Sequence, residues 1–88
     1  MTLQQLHYVV EVATAGSITA ASQRLFIAQP SLSKAISELE SEMGITIFER
    51  SSKGVVPTED GTRFLSYARQ VVEQADLLEA QYKHGTPP

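Results

Sequence analysis

A chain of 88 residues supplies one hydrophobic core, and 42% hydrophobic against 19% charged residues is the composition of a folded domain, not of a disordered segment. No cysteine is present, which excludes disulfides, cysteine–zinc sites and thiol nucleophiles, and the two histidines, His7 and His84, lie near opposite ends with no ligand-spaced partner. Seven Lys and Arg against ten Asp and Glu give a net charge of −3, which by itself speaks against a polyanionic partner, so the placement of the seven cations becomes the question.

The first predicted element is a helix over residues 2–15. Leu6, Val9, Val10 and Ala13 recur at the spacing of one buried helical face. Thr2 with Gln5 fits a capping box, and Gly16 fits a left-handed stop. Ser17 then suits the N-cap of a short second helix with Ile18, Ala21 and Leu25 on one side. The small pair Ala20-Ala21 lets another helix approach closely, and Phe26-Ile27-Ala28 leaves room only for a sharp turn.

A third helix is predicted from Gln29-Pro30, since proline at the start of a helix forfeits no hydrogen bond. Leu32, Ile36, Leu39 and Met43 form its inward stripe, and Ser31, Ser33, Lys34, Ser37 and Ser41 lie outward. A face so rich in hydroxyls is unusual, because Glu and Lys are better helix formers than serine. Two β-prone runs follow, Ile45 to Arg50 and Val55 to Pro57, separated by Ser51-Ser52-Lys53-Gly54, and together they read as a hairpin.

The last helix is predicted over residues 58–82, with Thr58 as N-cap and Glu59 and Asp60 favourable to its dipole. Phe64, Ala68, Val71, Ala75, Leu78 and Tyr82 recur at alternating steps of four and three, a heptad row. A helix of that length has more apolar surface than so small a domain can cover, so these six residues are the expected dimer interface.

The expected fold is therefore mainly α: a winged helix-turn-helix of three helices plus a β-hairpin wing, followed by a long C-terminal dimerisation helix. Residues 1–57 form the binding domain, with the helix-turn-helix at about 18–37 and the wing at about 46–57. Residues 58–82 form the linker helix and 83–88 a flexible tail. In such a fold the third helix enters the major groove and the wing reaches backbone or minor groove. Lys34 then stands outward near the start of the third helix, Arg50 and Lys53 flank the hairpin tip, and Glu38, Glu40 and Glu42 cluster toward the far end of the third helix. No apolar run approaches the ~20 residues that cross a bilayer, and no signal-peptide pattern opens the chain, so a cytoplasmic location is expected.

The run Ala20-Ala21-Ser22-Gln23-Arg24-Leu25 followed by Ala28-Gln29-Pro30-Ser31-Leu32-Ser33-Lys34-Ala35-Ile36 resembles the N-terminal DNA-binding domain of LysR-type transcriptional regulators. Leu39-Glu40, Gly44, Phe48-Glu49-Arg50 and Pro57-Thr58-Glu59-Asp60-Gly61 extend the likeness to about residue 82. The spaced set AA-x3-L-x3-QP-x2-S-x2-I-x2-LE-x3-G-x3-F-x-R is far more specific than a bare helix-turn-helix pattern. The resemblance implies a bacterial regulator, and no nucleophile–histidine arrangement, metal cluster or phosphate-binding glycine loop points to an enzyme, a metal or a cofactor. It implies binding to double-stranded DNA at an AT-rich interrupted dyad, as a homodimer through the last helix and a tetramer in the full-length parent. A small-molecule effector would act only through a C-terminal domain absent here, so the chain is expected to be an isolated DNA-binding fragment.

The expected DNA-binding residues are Gln29, Pro30, Ser31, Ser33, Lys34, Ser37, Arg50 and Lys53. Gln29 suits bidentate reading of adenine, with a helix-capping role as the alternative. Pro30 starts the helix and can pack on a thymine methyl. Arg50 either contacts DNA or pairs with Glu40 to lock the wing, and Lys53 at the tip suits a groove contact. The chain departs from the family at three places: Ala28 replaces a common Ser or Thr, Lys34 a common arginine, and Ala35 a frequent glutamine. Lys34 keeps the charge and loses the bidentate fork. The alternative reading is a winged-helix dimerisation or protein-interaction module with no DNA binding, which the −3 charge favours.

Overall fold

In the computed structural model, which describes residues 1–83, the elements follow in the order α1 (Leu3–Ala15), α2 (Ile18–Leu25), α3 (Gln29–Met43), β1 (Phe48–Ser51), β2 (Gly54–Pro57) and α4 (Glu59–Tyr82). The expected tail from His84 onward lies outside the described residues.

Each helix starts where a side chain can satisfy its free N–H groups. Thr2 Oγ1 accepts from Gln5 N–H at 3.0 Å, while Gln5 Oε1 accepts from Thr2 N–H at 3.0 Å, completing the capping box. Ser17 Oγ accepts from Ala20 N–H at 3.1 Å, and Thr58 Oγ1 from Gly61 N–H at 2.8 Å. The exception is α3, whose N-cap Ala28 has no side chain to offer; Pro30 at the second helical position removes one donor from the need.

The core is a single cluster. Leu6, Val9 and Val12 of α1 meet Ile18 and Ala21 of α2, Leu32, Ile36 and Leu39 of α3, Ile47 just before β1, Phe48 at its start, and Leu65 and Ala68 of α4. The buried set of α1 differs from the expected stripe: Val12 is buried, whereas Val10 and Ala13 are only half-buried. The reason is that α1 is packed by α2, α3, α4 and β2 together, so more than one narrow stripe is covered.

The wing is shorter than its β-prone sequence. Residues 46 and 47 are not strand, and β1 begins at Phe48, pairing antiparallel with β2 in the register Phe48↔Pro57 to Ser51↔Gly54. Helices claim the preceding backbone instead. Glu40 Oε2 accepts from Ile47 N–H at 2.7 Å and Phe48 N–H at 3.3 Å. Thr58 N–H donates to the Ile47 carbonyl at 2.9 Å, and the Thr58 hydroxyl donates to the Thr46 carbonyl. A glycine is required at position 61, because a Cβ there would lie 2.0 Å from the Ile47 carbonyl oxygen.

Packing of α4 treats the residues of the predicted dimer seam unequally. Leu65, beside the heptad row, is 1% exposed, and Ala68, within it, is 2% exposed against the domain's own core. Ala68 therefore has no surface left for a partner. Phe64 and Ala75 are half-buried, and Val71, Leu78 and Tyr82 are exposed. The first part of α4 docks on its own domain through Leu65 and Ala68, and the later members of the heptad row, Val71, Leu78 and Tyr82, face outward.

Truncating Leu65 to alanine removes a buried side chain from the joint between α4 and the core. A loss of about 2–5 kcal/mol of unfolding free energy is expected, read as a lower denaturant midpoint.

Candidate nucleic-acid interface

The polar face of α3, the start of α2 and one face of the wing converge on a shared edge. Two adjoining clefts mark it. Ser33, Ile36, Ser37 and Glu40 of α3, Ile18 of α2, and Phe48, Arg50 and Val55 of the wing line the first. Ser17, Thr19, Gln29, Arg50, Ser51, Gly54 and Val55 are among the residues that line the second. Arg50 stands in both.

Gln29 does not cap α3; it is the first helical residue, and its Oε1 accepts from Thr19 Oγ1 at 3.1 Å. That bond fixes the direction of the amide and leaves its nitrogen, a double donor, open to solvent. Gln29, Ser33 and Ser37 thus share an edge with Arg50. Pro30, Ser31 and Lys34 are exposed on α3 and do not line the clefts. Lys53 is exposed at the turn of the wing, where its N–H donates to Ser51 Oγ at 3.3 Å.

The expected alternative for Arg50, a pairing with Glu40, does not form. Glu40 lines the same cleft as Arg50, but its Oε2 accepts from the Ile47 and Phe48 N–H groups and it makes no ion pair with the guanidinium. Among the described residues Arg50 and Lys53 have no carboxylate within ion-pair distance, unlike most other cations. Arg24 is 3.1 Å from Glu11, Arg63 is 2.8 Å from Asp60, and Lys83 is 3.6 Å from Glu79. Lys34 Nζ, on a side chain 79% exposed, is 3.9 Å from Glu38, a loose surface contact that an external anion can displace. The positive charge left uncommitted therefore concentrates on the wing, with Arg69 on α4 the other cation without a partner among the described residues.

Sequence reasoning missed that Thr19 orients Gln29 and that Phe26, at the turn between α2 and α3, is 93% exposed with φ 57°. It raised Glu40 as a lock on the wing through Arg50, whereas the contact runs to backbone N–H groups. The Glu40 role depends on a contact seven residues away, which no periodicity reveals. No group of three or more His, Cys, Asp or Glu residues is arranged to hold a metal among the described residues. No helix among them is long and apolar enough to cross a membrane.

The model of the bacterial regulatory helix-turn-helix proteins of the lysR family matches residues 3–62, and that span includes α2, α3, the wing and the start of α4. The chain belongs to the LysR family. Its relatives are transcriptional regulators; one is the HTH-type transcriptional regulator ClcR of Pseudomonas putida, 40% identical over 77 residues, a match covering 88% of this chain and 26% of ClcR. The chain thus spans about a quarter of the length of the curated LysR relatives it matches. Among solved structures, a complex of the CbnR DNA-binding domain with DNA is similar at 34% identity and a TM-score of 0.85, covering 97% of this chain and 98% of that one. A complex of the BenM DNA-binding domain with catB site 1 DNA is similar at 40% identity and a TM-score of 0.86, covering 94% of this chain and 89% of that one. The winged helix-turn-helix with a long following helix is therefore a LysR-family DNA-binding-domain fold.

Replacing Glu40 by alanine strands two partly buried N–H donors. A loss of about 1–3 kcal/mol is expected, with amide hydrogen exchange accelerated first at Ile47 and Phe48.

Proposed function

We propose that this chain is the sequence-reading part of a LysR-type transcriptional regulator, binding double-stranded DNA with α3 in the major groove and the β1–β2 wing on the adjoining backbone or minor groove. The observation that carries this reading is the shared edge: Gln29, Ser33 and Ser37 stand beside an arginine free of ion pairs, with Lys53 at the tip of the same hairpin. Backbone contacts fix register and base edges supply sequence information, and the site holds both kinds of group. Gln29 reads adenine through its amide; Ser33 and Ser37 donate to or accept from base edges or phosphates; Pro30 and Ser31 pack at the start of the helix. Lys34, Arg50 and Lys53 neutralise phosphates. Similarity to LysR-family DNA-binding domains solved in complex with DNA supports double-stranded DNA as the partner.

The net charge of −3 does not oppose this reading, because the acids are largely matched elsewhere. Glu11 faces Arg24, Glu59 and Asp60 face Arg63, and Glu42 pairs with the terminal ammonium of Met1. Residues 1–57 are the binding unit and 58–82 the linker helix.

The chain acts as a homodimer through α4. Val71, Leu78 and Tyr82 remain exposed on α4, together with Tyr67 and Leu77. At 3.6 residues per turn, the arc through Tyr67, Gln70, Val71, Gln74, Leu78 and Gln81 carries no charge, whereas Arg69, Glu73, Asp76, Glu79 and Lys83 lie on the other side. An uncharged, partly apolar strip along the free length of a helix suits a second copy of itself. The target is an AT-rich interrupted dyad, one half-site per protomer, in the cytoplasm. A tetrameric parent and an effector response belong to protein beyond this chain.

Selection from a random duplex library, with binding of the enriched pool followed against salt, tests the function. An enriched dyad bound with a steep salt slope is expected; no binding at low salt would assign the chain to protein interaction instead. Lys53→Ala is expected to weaken binding to all duplexes and lower the log–log salt slope by about 0.9. Val71→Asp with Leu78→Asp is expected to give a monomer in sedimentation, and a surviving dimer would place the interface elsewhere.

A further inference from the structure

The wing is fastened to the rest of the molecule at a second place, remote from Glu40. Val55 N–H donates to the Gly16 carbonyl at 3.1 Å, joining β2 to the turn between α1 and α2. In the pair Arg50↔Val55 this N–H points away from β1, so it contributes nothing to the hairpin's own ladder. The neighbouring residue is built for the approach. Gly54 has φ 132°, and a Cβ on it would stand 2.2 Å from the same Gly16 oxygen. Any other residue at 54 must therefore push the two segments apart. Gly16 is itself the left-handed stop of α1, with φ 70°, and its N–H donates to the Val12 carbonyl at 2.8 Å. Its carbonyl is thus held by a core helix and does not follow the wing.

Beside this junction lies the cleft that contains Ser17, Thr19, Gln29, Arg50 and Ser51. Residue 16 leads directly into the cap of α2, and Arg50 is the cross-strand partner of Val55. The distance between the wing cation and the orienting pair Thr19–Gln29 is consequently set by the backbone contact between Gly16 and the Gly54-Val55 segment. We infer that Gly16, Gly54 and the Val55 N–H are positioning groups for DNA recognition: they hold Arg50 and Lys53 in register with α3, so that helix and wing meet the duplex as one rigid reader. The inference rests on the DNA-binding reading above. It adds that the wing's affinity is decided by a contact that touches no nucleic acid.

The test uses the whole chain with a duplex it selects. Val55→Pro removes the one N–H that reaches Gly16 and leaves the β1–β2 ladder intact, Val55→Ala controls for the lost side chain, and Gly54→Ala forces the same separation sterically. Helix content and the melting transition verify that each variant is folded at the temperature of the assay, and Val55→Pro carries the test if Gly54→Ala does not fold. The expected result is a salt slope reduced by about 1.8, as for two phosphate contacts, in Val55→Pro and not in Val55→Ala. Arg50→Ala should then weaken binding several-fold in the native background and hardly at all in the Val55→Pro background. Simple loss of stability would move the melting transition and leave the slope alone. An unchanged slope, with Arg50→Ala equally costly in both backgrounds, overturns the inference and leaves DNA binding standing. A native chain with no salt-dependent binding overturns both.

Discussion

Two strands of four residues do not hold together in water, so the hairpin of this domain has a defined position only because helices fasten it. The strongest fastening is Glu40. One carboxylate oxygen on α3 takes two consecutive backbone N–H groups at the root of β1, where an ordinary sheet would supply a third strand. A charged acceptor facing two partly buried donors is a stronger tie than a neutral bond. Because Glu40 belongs to the same helix as Gln29, Ser33 and Ser37, the wing takes its orientation from the element proposed to read the bases. Thr58 closes the root from the other side, so α4 also starts from a fixed point.

That arrangement explains how a chain of net charge −3 can present a cationic edge. Long-range attraction follows total charge, whereas the grip on a polyanion follows which cations are free at short range. Glu40 Oε2 is committed to the backbone, and Glu40 makes no ion pair with Arg50 although both line one cleft. Arg24 and Arg63 are paired on other faces, whereas the wing carries Arg50 and Lys53 without ion-pair partners beside the exposed Glu49.

The last helix divides its labour along its length. Gly61, Leu65 and Ala68 are buried in the domain, and beyond Val72 every residue except Ala75 is exposed. Its first turns thus belong to the fold, and the remainder projects from it. The protein measures 50 × 25 × 20 Å, the proportions of a small domain with a rod attached. A rod with one uncharged side suits assembly, and it places any assembly partner at a distance set by the domain that anchors it.

Local chemistry determined much of this in advance. The capping side chains Thr2, Ser17 and Thr58, the stops at Gly16 and Gly44, and the stripe Leu32, Ile36 and Leu39 are near-neighbour effects, legible because helices repeat every few residues. The spaced residues from Ala20 to Arg50 carried the family as well. Tertiary structure alone decided which face of α4 is buried, why β1 starts at Phe48, that Arg50 stays unpaired and that Thr19 orients Gln29. Each of these depends on groups distant in sequence competing for one backbone donor or one patch of apolar surface. Heptad spacing specifies that a stripe exists; which side of it the core takes depends on the close approach of Gly61 to the Ile47 carbonyl, and no sequence period encodes that contact.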